Sequence, residues 1–161
     1  MESGPNALEY VFHLQNLEKD QVPVKTLIDS GATGNFIDRM FFATTQLNKN
    51  RLDEPITVRN VDGSVNRGGS ITDVTTARLF TPPFFQDVDL EITSLGEKYH
   101  IILGYPWLQA TNPTINWKEG TMTFSNGLTL TSQARRTKTK IESSINSCYS
   151  DEYLSDEESD Y

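Results

Sequence analysis

From Leu8 the chain alternates. In "LEYVFHLQN" the residues Leu8, Tyr10, Phe12 and Leu14 share one face of an extended segment, the period of two that marks a half-buried strand. The polar "LEKDQ" that follows suits a hairpin connection into "VPVKTLI", and Pro23, which has no N–H to give to a ladder, puts the start of that second strand at an edge. "FIDRMFFATTQLNK" reads as a short helix with Asp38 as its cap. "ITVRNVDGSVNRGGSIT" reads as two strands around Asp62-Gly63, because an Asp-Gly pair between alternating runs favours a tight hairpin. Next come "ITDVTTARLF", the turn-prone "TPP", "QDVDLEIT" with Val88, Leu90 and Ile92 on one face, and the apolar "HIILG". A helical turn in "YPWLQA" and strands in "TINW" and "TMTF", joined by "KEG", complete a pattern that predicts a mainly β protein.

Composition narrows this to one core. A chain of 161 residues, 36% hydrophobic and 10% aromatic, suits a single compact domain. From about Ser132 the pattern dissolves into polar residues that end in "SDEYLSDEESDY". The expected boundaries are therefore a domain over 1–132 and a polar, acidic and disordered tail or linker over 133–161. Seven of the 22 acids and none of the 14 bases fall in 142–161, so these last twenty residues carry −7 of the net −8 and residues 1–141 carry −1. Residues 1–141 are nearly neutral and have no basic stripe with interleaved aromatics, which argues against nucleic-acid binding by this domain. The lone Cys148 allows no intrachain disulfide or cysteine-rich metal site. With no signal-like N-terminus and no apolar stretch of roughly 20 residues, no membrane association is expected, and an intracellular, cytoplasmic location is.

The candidate chemistry lies in "VKTLIDSGATGNFID". Asp29 and Ser30 stand side by side at the end of an apolar run, with Gly31 next. In isolation Asp-Ser-Gly is most simply a turn, since Asp and Ser bond their own backbone and Gly tolerates positive φ. Its surroundings favour a site. About 70 residues later a second apolar run, Ile102 and Leu103 within "IILG", also ends in a glycine, Gly104, and enters a turn with "PWL". Two such segments can cross closely where glycines permit backbone approach. His13 and His100 have no ligand spacing around them, and neither a phosphate loop nor a Ser/His/Asp or Cys/His constellation is legible. No metal and no cofactor is expected.

Four pieces in order resemble the retropepsins, the aspartic proteases of retroviruses, and most closely those of Gypsy-class LTR retrotransposon polyproteins. They are "LIDSGATGNFI" as the active-site segment, "VRNVDGSVNRGGSI" as a flap hairpin, "IILGYPWL" as the later apolar-Gly segment with its helix, and "NPTINW". The resemblance covers about Leu8 to Leu130. It implies a closed β-barrel of the acid-protease fold with a flap hairpin and one or two short helices. It also implies an aspartic endopeptidase that cuts its own polyprotein.

That reaction needs two carboxylates about one water, sharing one proton. The chain has one Asp-Ser-Gly, so the resemblance implies a C2 homodimer to which Asp29 contributes twice. One Asp29 would act as general base on the water while its protonated mate assists the scissile carbonyl. Ser30 would hold the loops across the dimer, Gly31 would let the substrate backbone approach, and Ala32 completes the motif. Val61, Asp62, Gly63 and Ser64 would form the tip of a flap that closes over an extended polypeptide. Ile102, Leu103 and Gly104 are expected to be scaffold near the site, and Trp107 and Trp117 to pack in the core or the dimer. The rival reading is a domesticated, weak or inactive copy kept for dimerisation or peptide binding. A third is a polyprotein fragment.

Overall fold

The structure is a computed structural model that describes residues 8–59 and 65–133. The first hairpin forms as the alternation predicts. Strand β1 (Leu8–Gln15) pairs antiparallel with β2 (Gln21–Ile28) from Leu8↔Ile28 to Gln15↔Gln21. Leu8, Tyr10, Phe12 and Leu14 all point inward and are buried. Pro23 is tolerated because β2 has a second neighbour only over Thr26–Ile28, so the proline lies where β1 alone flanks the strand.

The segment expected to be one helix divides. Phe36–Asp38 is a short strand, β3, and the helix α1 covers Arg39–Thr45. Pairing with two other strands claims the first three residues, and Asp38 then caps the helix by accepting from the Phe41 N–H at 3.1 Å. The other carboxylate oxygen of Asp38 accepts the Leu95 N–H at 2.9 Å. One buried acid thereby holds the helix start and the loop beyond the sixth strand.

Strands β4 (Asn50–Arg59) and β5 (Val65–Thr81) are antiparallel, with register shifts between Arg51 and Ile56 and between Thr57 and Arg59. The predicted flap tip, Val61 to Ser64, lies outside the described residues. A turn at Pro82-Pro83, whose peptide bond is cis, leads from β5 into β6 (Phe84–Thr93). After β7 (Ile101–Leu103) and the helix α2 (Tyr105–Thr111) come the short strands β8 (Thr114–Asn116), β9 (Thr121–Thr123) and β10 (Thr129–Thr131).

The main sheet runs β1-β2-β7-β3-β6-β5-β4, and β1 also pairs with β5 through Leu14↔Leu79. Six strands therefore close a barrel, leaving β4 outside on β5. Closure pairs the end of β1 that would otherwise be an exposed edge, and β4 is the outer strand that is left. Inside lie Phe12, Leu14, Val24, Ile37, Leu79, Leu90, Ile101 and Leu103, with Trp107 and Phe124 packed at one end. The separate meander β8-β9-β10 is tied back to β1, where Ser132 Oγ accepts the Glu9 N–H at 3.0 Å and Tyr10 Oη donates to Gly120 O at 3.2 Å. Trp107 is core, whereas Trp117 sits in the β8–β9 turn, 61% exposed, so of the two expected places the core is excluded for it.

Candidate active site

The parallel pairing of β2 with β7 builds the site. Thr26, Leu27 and Ile28 lie beside Ile101, Ile102 and Leu103, so the two apolar runs end level with each other. β3 pairs antiparallel with the other side of β7, Phe36 opposite Ile102. The loop from Asp29 to Asn35 must therefore pass over the end of β7. It can do so because of Gly104: a Cβ there would lie 2.2 Å from Gly34 O and 2.6 Å from Ala32 O, closer than real side chains approach backbone. The crossing is pinned from both sides. Asp29 N–H donates to Leu103 O, Tyr105 N–H donates to Ala32 O, and Gly104 N–H donates to Asn35 Oδ1, each at 2.9 Å.

At the mouth of this crossing Asp29 is half-buried, while Ser30 and Gly31 are exposed. One oxygen of the Asp29 carboxylate, Oδ1, accepts the Gly31 N–H at 2.9 Å, and Ala32 N–H donates to Asp29 O at 3.0 Å. The carboxylate is thus held by its own loop rather than by a basic side chain. A Cβ on Gly31 would meet only that Oδ1, at 3.4 Å, so a small side chain fits there within the protomer. Ala32 is buried with Leu27, Tyr99 and Ile102 in a second apolar cluster, against which Phe36 and Leu95 pack.

The residues expected near the site are thereby brought together: Asp29, Ser30, Gly31 and Ala32 in one loop, and Ile102, Leu103 and Gly104 beneath it. Ile102 faces the outer cluster and Leu103 the barrel interior. Two neighbours were not singled out in the sequence. Asn35 ties the loop to Gly104, and nothing in "ATGNF" sets it apart from its polar neighbours. Glu91 of β6 sits over the same loop, with both carboxylate oxygens 3.2 Å from where a Gly34 Cβ would be. Burial holds its carboxyl above the usual range. No sequence signal separates it from the other acids of "QDVDLEIT".

A six-stranded closed barrel in which the Asp-Ser-Gly loop crosses the end of β7 is the fold of the retropepsin-like class of aspartic protease domains. The family model of the PEG10/RTL1 protease domain matches residues 25–132, and the chain belongs to that family. Among solved structures, the retroviral protease-like domain of Ddi1 from Leishmania major is similar at 14% identity and a TM-score of 0.55, over 80% of this chain and 95% of that one. The EIAV protease complexed with the inhibitor HBY-793 aligns at 14% identity and a TM-score of 0.48, over 67% of this chain and 90% of that one. A retropepsin-like aspartic protease from Rickettsia conorii aligns at 16% identity and a TM-score of 0.38, over 72% and 91%. Among the described residues no helix is long and apolar enough to cross a membrane.

Proposed function

We propose that the chain is an aspartic endopeptidase of retrotransposon origin that hydrolyses peptide bonds as a C2 homodimer and processes its own polyprotein. The observation that carries this reading is the Asp29 loop: a half-exposed carboxylate held by the Gly31 N–H at 2.9 Å, on a crossing braced at Leu103, Asn35 and Gly104. A general base must be fixed but reachable, and this arrangement meets both demands. One protomer offers one such acid, so the second comes from a partner copy across the axis.

In the dimer the two Asp29 carboxyls share a proton, because two like charges a few ångströms apart do not both ionise. The ionised one takes a proton from water as it attacks the scissile carbonyl, and its protonated mate donates to the carbonyl oxygen. The roles then reverse to protonate the leaving amine. Ser30 holds the paired loops, and Gly31 leaves the space that the substrate backbone enters. Residues 1–132 make up the unit that does this, in a cytoplasmic setting, and 133–161 are an acidic extension.

The pair titrates as a unit, so the pH–rate profile is a bell on the acidic side. The test compares wild type with Asp29→Asn on a peptide panel, with inhibition by a pepstatin-type compound and the oligomeric state measured alongside. Asp29→Asn should abolish cleavage while the fold persists. Cleavage that survives it would overturn the assignment, and a strictly monomeric active enzyme would overturn the shared site. A wild type that dimerises and binds peptides without cutting them would instead support the rival reading of a domesticated module.

A further inference from the structure

The strand registers line up one row of side chains on the face that carries Asp29. Glu9 pairs with Leu27, Leu27 with Ile102, Ile102 with Phe36, Phe36 with Glu91, and Glu91 with Val74. Register partners project from the same face of a sheet. Leu27, two residues before Asp29, belongs to the outer apolar cluster with Ile102 and Phe36, whereas Ile28 and Ile101 belong to the barrel core. The row is therefore an apolar strip beside the candidate acid with a carboxylate on each flank.

The two carboxylates are not equivalent. Glu9 is already engaged: Tyr99 Oη donates to its Oε2, and Lys98 Nζ lies 3.8 Å from the same oxygen. Glu91 has no ion pair and no hydrogen bond to its side chain among the described residues, although it is half-buried against Phe36 and Gly34. Withdrawing an acid from water without a partner costs free energy. Such a group beside an active-site loop is a candidate for recognition.

We propose that Glu91 is a specificity residue that selects a lysine or arginine side chain of the extended substrate. This rests on the reading of Asp29 as the cleaving acid. Glu91 stands three strands from β2, roughly 14 Å along the sheet at about 4.8 Å per strand, and an extended peptide advances about 3.3 Å per residue. With the length of a basic side chain included, the selected residue lies about two to four positions from the cut bond. The C2 axis supplies a second Glu91, so the preference appears on both sides of that bond.

The experiment uses the full chain and a peptide library in which one position at a time is fixed as Lys, acetyl-lysine or Glu. Cleavage is read with wild type and binding with Asp29→Asn. The expected result is a preference for Lys over acetyl-lysine of about tenfold, the size of one charge-assisted contact, at one position on each side of the bond. Glu91→Gln should reduce that ratio to within about twofold, and Glu91→Lys should turn it toward Glu. The reversal could not come from a merely structural role. A ratio unchanged in Glu91→Gln, or no preference at any position, overturns the proposal. Glu91-dependent binding of Lys peptides without cleavage would uphold it while overturning the catalytic reading, and cleavage without Glu91-dependent preference would do the reverse.

Discussion

At Gly104 an added methyl would press on two backbone carbonyls, whereas at Gly31 it would touch one carboxylate oxygen at 3.4 Å. The fold therefore demands a glycine at 104 and makes no such demand at 31. Gly104→Ala must push the Asp29–Asn35 loop off β7, and backbone cannot yield as a flexible side chain would. The expected loss is several kcal/mol, roughly 3 or more, as for other clashes in a packed interior. Gly31→Ala should change stability by no more than about 0.5 kcal/mol, because the position is exposed and its neighbour does not clash. Under the proposed mechanism it should still cut cleavage sharply by standing where substrate enters. Thermal denaturation and peptide cleavage measured on both variants separate the two roles. Equal melting losses in both would show that Gly31, too, is a folding requirement. In the sequence the two residues look alike, each a glycine that closes or follows an apolar run. Only their neighbours distinguish them.

At the scale of elements, β2 and β7 are short parallel partners whose lower end is fastened by a side chain. His100, just before β7, gives its N–H to Lys25 O and accepts the Lys25 N–H at Nδ1, both at 2.9 Å. The ring also lies against Phe41 of α1, centroids 4.3 Å apart. An Nδ1 that accepts belongs to a neutral imidazole, and a proton there would abolish the bond. Burial lowers the His100 pKa from 6.5; the Asp38 carboxylate opposes this, and the Lys25 cation adds to it. A histidine whose folded pKa is depressed contributes stability that is present above the unfolded value. That stability is lost as pH falls from about 6.5 through the folded value. The melting temperature should therefore drop between pH 7 and pH 5 more steeply in wild type than in His100→Asn, whose Oδ1 can accept in place of Nδ1. Parallel slopes would show that His100 is not the group that titrates.

Element by element, legibility followed locality. β1, β6 and the start of α1 were readable because each is written in a run of neighbours: alternation in "LEYVFHLQ" and "QDVDLEIT", and a capping acid before "RMFF". No strand is legible in "FID", ahead of the capping Asp38, because it becomes one only when β6 and β7 stand on either side of it. The closed barrel was implied only by the family resemblance, since the pairing of β1 with β5 joins residues far apart in the chain, and β10 was not predicted. Glu91 was hidden for the same reason. Its partners on the strip come from β3 and β5, and no local window contains them.

For the whole molecule, the decisive number is one Asp-Ser-Gly in 161 residues. If each active site takes an Asp29 from both subunits, specific activity should fall on dilution as dimers dissociate. Mixing equal amounts of wild type and Asp29→Asn, then allowing exchange, should leave about a quarter of the dimers fully wild type. Activity per dimer should follow that fraction. Activity that instead stays at half of the unmixed value would mean that each protomer works alone.

The β alternation, the position of the acid at the end of an apolar strand and the number of such acids are all legible along the chain, because each is a property of adjacent residues or of a count. Contacts across the barrel make Gly104 a required glycine, make His100 the fastener of β2 to β7, and put Glu91, which has no side-chain partner among the described residues, on the strip beside Asp29. Those are contacts between strands that meet only when the barrel closes. The physical reason is the same in each case: a side chain's period is written along the chain, whereas its neighbours across a sheet are set by pairing registers that no single segment contains.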